Sequence, residues 1–208
     1  MQKVCKLITE NKIYFIGYSF VLIFGLTLLL ILGKVGAFYA LNPIHQDWIN
    51  YIFYFFTILG DGFFCVPLGL SFLFIREKKI CCLILSSYIV SGLLILILKS
   101  FITEARPSVF VGLKSYPYFI EHITLHNFHG FPSGHTASAF AIASILAFNS
   151  LSKKRIAVIL LSIAVCIGYS RVYLGQHFIS DVIAGSLIGL ISAIYCWLVI
   201  DKYLKNKL

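Results

Sequence analysis

Charge-free apolar runs recur along the chain with the length of membrane helices. Residues 13–33 give a run of 21, residues 80–98 a run of 19, residues 136–152 a run of 17, residues 156–170 a run of 15 and residues 182–200 a run of 19. A further stretch, residues 48–75, is interrupted only by Asp61. About 20 helical residues cross a hydrocarbon core of about 30 Å, so these stretches read as transmembrane helices. The shortest, 156–170, gains length from residues 171–174 at one end. Residues 48–75 would run ~42 Å as one straight helix, more than a bilayer core needs, and Gly60-Asp61-Gly62 marks a break in it. Trp48, Tyr51, Phe53, Tyr54, Phe55 and Phe56 then form an interfacial aromatic belt. Connections are mostly short and no repeat is present, which predicts antiparallel neighbours. The expected fold is all-α, a polytopic membrane helical bundle of six transmembrane helices forming one domain over residues 1–208.

Composition agrees with that pattern. Across 208 residues, 60% are hydrophobic and 16% aromatic, and the mean hydropathy of +0.93 excludes an ordinary soluble domain. The net charge of +9 changes the picture only through its placement. Lys3, Lys6, Lys12, Arg76, Lys78, Lys79, Lys153, Lys154, Arg155, Lys202, Lys205 and Lys207 fall on one side of the predicted bundle, whereas the other side receives only Lys34, Lys99, Arg106, Lys114 and Arg171. The positive-inside rule then sets both termini in the cytoplasm, consistent with an even number of spans in a plasma (bacterial inner) membrane. The basic excess is a topology signal, and no nucleic-acid partner is inferred. The first apolar run is too long for a signal-peptide core and is expected to stay as a span. The six cysteines show neither C-x-x-C spacing nor clustering in outer loops, so a disulfide framework is not expected.

Residues 101–131 depart from the short-loop pattern. Their aromatic residues, Phe110, Tyr116, Tyr118, Phe119 and Phe128, predict an ordered cap at headgroup level. The segment also holds Glu121, His122, His126 and His129. The histidine spacing of four and three would align the imidazoles on one helical face, either as a polar stripe or as metal ligands. No metal is expected, because the chemistry read from the rest of the chain needs none.

That chemistry lies in three blocks on the extracytoplasmic side. They are K-x6-RP (Lys99, Arg106-Pro107), PSGH (Pro132-Ser133-Gly134-His135) and SR-x5-H-x3-D (Ser170-Arg171, His177, Asp181), with 24 and 34 residues between them. Three cations, two histidines and one carboxylate suit attack on a phosphoryl group, where catalysis is mostly positioning and charge neutralisation. Lys99, Arg106 and Arg171 would neutralise phosphoryl oxygens, the arginines through forked contacts. Lys99 and Arg106, seven apart, would face the same way on a helix ending near Pro107. Pro132-Ser133-Gly134 would begin the fourth span and offer backbone N–H groups to an anion, with Ser133 adding a hydroxyl and Gly134 admitting the phosphate. His177 and Asp181, at i and i+4, would share one helical face, so that the carboxylate fixes the imidazole tautomer and leaves Nε2 as a nucleophile. Glu104 lies among these cations and is expected to point away or to pair with an arginine. Asp61 reads as a helix cap, as a partner for a nearby cation, or as a functional carboxylate supporting the cationic cluster.

In residue type, spacing and order the three blocks resemble the type 2 phosphatidic acid phosphatase superfamily, which also contains the vanadium haloperoxidases and glucose-6-phosphatase. The resemblance covers a motif core from Lys99 to Asp181. It implies a phosphohistidine intermediate on His177, held by Asp181, and a second histidine, His135, that protonates the leaving oxygen and then activates water. It also implies a metal-independent membrane lipid phosphatase without a cofactor. The implied partners are a phosphorylated lipid and the bilayer, with no obligatory protein partner. Undecaprenyl diphosphate, phosphatidylglycerol phosphate, phosphatidic acid and lipid A phosphates all fit. The alternatives are a vanadate-dependent haloperoxidase-like enzyme and a non-catalytic transporter of phosphorylated solutes.

Overall fold

The computed structural model describes residues 2–111, 126–150 and 153–205. Within them the chain forms helices and no strand: α1 (Gln2–Glu10), α2 (Lys12–Ala40), α3 (Asp47–Leu59), α4 (Gly62–Phe74), α5 (Lys78–Phe101), α6 (Pro107–Val111), α7 (Gly134–Asn149), α8 (Lys153–Tyr173) and α9 (Ile179–Lys205).

α7 is the central post of the bundle. It packs against α5, α8 and α9, while α2 and α3 lie outside on α8 and α4 leans on α5. Its sequence, GHTASAFAIASILAFN, is dominated by small side chains, and Thr136 through Ile145 are all buried. Small residues let helices approach closely where lipid supplies no hydrophobic drive between them. The closest approach is with α9, through Gly185 and Gly189. A Cβ on Gly185 would lie 2.4 Å from the Ser133 carbonyl oxygen, and one on Gly189 would lie 2.3 Å from that of Ala137. Polar contacts across the buried faces add specificity: Tyr14 Oη is 2.9 Å from Ser144 Oγ, and Tyr18 Oη is 3.1 Å from Ser186 Oγ. In contrast, Phe20, Ile23, Phe24, Leu30, Phe63, Phe74 and Phe101 are exposed on the outside, as a surface facing hydrocarbon requires.

Four helical segments are long and apolar enough to cross a membrane: Lys12–Ala40, Lys78–Phe101, Lys154–Tyr173 and Ile179–Ile200. The α3–α4 pair, bent by 55° at the expected Gly60–Gly62 break, supplies a fifth if counted as one span. The sixth expected stretch corresponds to α7, whose 16 residues reach only ~24 Å. An apolar run shows burial but not whether lipid or protein surrounds it, and here protein does. α2 continues seven residues beyond the predicted end, across a kink where Gly33 takes φ 67°, a conformation that glycine adopts without strain. All six cysteines are free thiols.

Candidate active site

The cations come together from three elements, though not all as the spacing suggests. Lys99 sits in the last turn of α5, which stops at Phe101 where Ile102 turns extended. Arg106 therefore lies beyond the helix and not two turns along it. Pro107 accounts for this: it disfavours helical geometry at the preceding residue and opens the short α6. Arg106 is buried, with its N–H donating to the Asn127 carbonyl, Nε to that of Phe128 and Nη1 to that of Gln176. Burial lowers its affinity for the proton below the usual guanidinium range. Arg171, in the last turn of α8, is likewise buried. Its Nη1 donates to Thr57 Oγ1 and its Nη2 to Gln176 Oε1, while its Nε is buried with no hydrogen-bond partner among the described residues. Glu104 pairs with Lys34 of α2, not with an arginine; the Lys34 ammonium also lies 4.5 Å from the Phe178 ring centre. Among the described residues no carboxylate reaches ion-pair distance of Lys99, Arg106 or Arg171.

His177 and Asp181 meet by a different route from the one predicted. α9 begins at Ile179, so His177 precedes the helix and shares no helical face with Asp181. Asp181, in the first turn, reaches back: its Oδ2 accepts the Phe178 N–H at 3.0 Å and stands 3.3 Å from His177 Nδ1. A first-turn carboxylate closing on the backbone N–H three residues earlier is half of a capping box, and this geometry brings the acid behind the imidazole. Ser180 Oγ donates to Asp181 Oδ1 at 2.9 Å. His177 is 2% exposed, and burial pushes its pKa down to about 4 against the opposing hydrogen bond to Asp181. Its imidazole is therefore neutral at pH 7, with Nδ1 engaged and Nε2 available.

Ser133, whose hydroxyl was expected on the phosphate, is the cap of α7. Its Oγ accepts from the Thr136 N–H at 3.5 Å and from Thr136 Oγ1 at 2.8 Å, and its own N–H donates to the Asp181 carbonyl at 3.0 Å. That last bond ties the start of α7 to the start of α9. Lys99, Arg106, Gly134, His135, Arg171 and His177 all line one cavity of about 430 Å³. Asp181 and Ser133 stand behind its wall, and Ser133 is fully buried. The helix start at Gly134–His135 opens onto the cavity, where the first N–H groups of α7 lack intrahelical partners.

Thr57 and Gln176, the clamp on Arg171, carried no signal in the sequence, since an isolated threonine and glutamine belong to no motif. Asp61 caps α4 by accepting the Phe63 N–H at 2.9 Å, and its Oδ2 lies 3.4 Å from His135 Nε2. Of the outer histidines, His122 lies outside the described residues. His126 lines the cavity and His129 Nδ1 lies 3.2 Å from the Lys99 carbonyl. Residues 126–130 are not helical, so these two imidazoles do not share the helical face that a shared metal site would have used.

A family model described as the PAP2 superfamily matches residues 80–205. Phosphatidylglycerophosphatase B of Bacillus subtilis is 34% identical over 160 residues, covering 71% of this chain and 73% of that protein. The undecaprenyl-diphosphatase of Sulfolobus acidocaldarius is 29% identical over 159 residues, covering 75% and 73%. Among solved structures, LpxE of Aquifex aeolicus superposes with a TM-score of 0.66 at 30% identity, covering 79% of this chain and 94% of that one.

Proposed function

The chain belongs to the PAP2 superfamily, and from that premise we propose that it removes phosphate from a lipid phosphate or diphosphate through a phosphohistidine on His177. One observation carries the reading: a buried neutral imidazole, backed by Asp181, opens on a cavity with three cations that no carboxylate among the described residues approaches to ion-pair distance. The buried Arg171 Nε, lacking an acceptor among the described residues, adds a donor that an anion would satisfy.

The reaction runs in two displacements. His177 Nε2 attacks phosphorus in line, the P–O bond to the lipid breaks, and His135 gives its proton to the departing oxygen. Lys99, Arg106, Arg171 and the N–H groups at the start of α7 take up the charge on the equatorial oxygens. His135, now neutral, then takes a proton from water as it attacks phosphorus, the N–P bond breaks, and inorganic phosphate leaves. Microscopic reversibility makes one histidine serve as acid and then as base. The fixed cations supply the charge neutralisation that a metal would otherwise provide, so chelators are expected to leave activity intact while vanadate inhibits as a phosphate mimic.

A lipid substrate follows from the setting. The helices flanking the cavity are apolar on their outer faces, and the names of the relatives are those of lipid phosphatases. A tail left in the bilayer contributes ~0.8 kcal/mol per CH₂ to capture. The charge census supports six spans with both termini cytoplasmic and the cavity facing outward, α7 completing the count as a short helix wrapped by its neighbours.

The test is phosphate release by the purified protein in detergent, across undecaprenyl diphosphate, phosphatidylglycerol phosphate, phosphatidic acid and lipid A. The expected result is turnover of at least one, with acid-labile phosphate trapped on His177. Hydrolysis of soluble esters alone, at a higher kcat/KM than any lipid, would remove the lipid reading.

A further inference from the structure

The break between α3 and α4 does more than bend a span. Thr57, in the last turn of α3, accepts from Arg171, and one turn later Asp61 stands beside His135. The intervening Gly60 fixes the approach. A Cβ there would lie 3.0 Å from the His135 carbonyl oxygen and 3.1 Å from His135 Cβ, and 2.8 Å from Ile167 Cγ2. A larger residue would push the bend away from the start of α7. One Asp61 oxygen is committed to capping α4, which fixes the carboxylate, and the other lies 3.4 Å from His135 Nε2. Among the described residues, the other groups that act electrostatically on His135 are basic, Lys99 from α5, Arg171 from α8 and His177 from the turn before α9, and Arg106, His126 and the Tyr54 phenol line the same cavity.

We propose that Asp61 is a positioning residue for His135, holding the ring at Nε2 and favouring its charged form against burial and the surrounding cations as it protonates the departing oxygen. The inference rests on the role of His135 given above. A general acid must carry its proton at working pH, and a ring of cations opposes that unless a carboxylate offsets them. With Nε2 turned to Asp61, the proton is given up and regained at Nδ1. Asp61 itself neither gains nor loses one. The competing account is that Asp61 only caps α4. Asparagine and serine cap helices about as well as aspartate, so they retain that role and remove the charge.

The experiment uses Asp61→Asn and Asp61→Ser in the full-length protein, with soluble aryl phosphates graded from p-nitrophenyl to phenyl as probes. Both variants should lower kcat about tenfold on the phenyl ester, with KM within about twofold and little effect on the p-nitrophenyl ester. The alkaline limb of the rate profile should move to lower pH by about one unit. Adding His135→Ala to Asp61→Asn should cost no more than His135→Ala alone. Rates and profiles matching the parent in both variants would overturn the proposal. So would equal losses on all esters with a lowered Tm, which would assign Asp61 to capping alone. Should the parent hydrolyse the aryl series but no lipid phosphate, the lipid reading fails and the Asp61 test still stands. A parent inactive on both would overturn both.

Discussion

Two histidine–carboxylate pairs face the same cavity and are built in opposite ways. The side chains of His177 and Asp181 are 3% and 1% exposed, and Asp181 also accepts the Phe178 N–H and the Ser180 hydroxyl. The side chains of His135 and Asp61 are 30% and 41% exposed, and Asp61 has one further bond, to the Phe63 N–H. The sealed pair suits a nucleophile, whose ring must be neutral, immobile and dry. The open pair suits an acid–base group, which must give up and regain a proton and admit a water. The asymmetry, more than the presence of two histidines, supports the proposed roles.

The sharpest way to break this assignment is to exchange the losses. In nucleophile–base–acid systems, loss of a catalytic member costs about 10⁶-fold in kcat and loss of the orienting acid about 10⁴-fold. His177→Ala should therefore fall to background on every phosphate ester and form no covalent phosphoenzyme, measured by phosphate release and by trapping with labelled substrate. Asp181→Ala should keep a measurable remnant, because it orients the ring and does not react. A His177→Ala protein that still turned over would dissolve the distinction between the pairs.

His135→Ala comes next. General acids contribute about 10²- to 10⁴-fold, and that contribution depends on how much help the leaving oxygen needs. The loss should be large for a lipid alkoxide and small for p-nitrophenolate, read as the ratio of kcat values on the two substrates. Equal losses would give His135 a binding role and leave the open pair without a proton to manage.

A smaller effect comes from the cation between the pairs. Arg171 is gripped from α3 by Thr57 and from its own turn by Gln176. A hydrogen bond to a charged group contributes about 1.5–3 kcal/mol. Gln176→Leu removes one of two and should raise KM for a phosphate ester about tenfold, with kcat changed less. A fall in kcat at constant KM would instead place the Arg171 interaction in the transition state alone.

How far such roles were readable in advance differs between the two pairs. Lys99, Arg106, Gly134, His135, Arg171 and His177 were legible because phosphoryl transfer demands those residue types, and the fold gathers all six at one cavity. What the sequence left out is what holds them. His177 and Asp181 looked like neighbours on a helical face, yet they meet through a capping interaction at the start of α9. The capping signal is present in the spacing of Phe178 and Asp181, but an i, i+4 pattern overshadowed it. Asp61 was legible as a cap at a helix break. Its approach to His135 depends on a 55° bend and on Gly60 packing against α7, which no local pattern records. The setting of α7 was hidden for a related reason: hydropathy treats a helix buried in protein and one buried in lipid alike, although runs of alanine and serine mark the former.

The smallest expected effect is the response of the sealed pair to acid. An exposed imidazole titrates near 6.5, but burial pushes His177 down to about 4, and only Asp181, through its hydrogen bond and its charge, works against that shift. The sign follows directly. Below about pH 4 the ring is protonated and cannot attack; above it the neutral form persists through the whole range in which an ordinary histidine would still be mostly charged. In nitrogen-labelled protein, the imidazole signal missing from a His177→Gln variant should stay in its neutral position down to about pH 5. Asp181→Asn removes the one interaction that favours the charged ring, so the midpoint should move lower still. Its rate deficit should then be the same at pH 5 and pH 7, because what is lost is orientation and not protonation state. A midpoint near 6.5 would mean that His177 is open to water, and the sealed character of its pair would vanish.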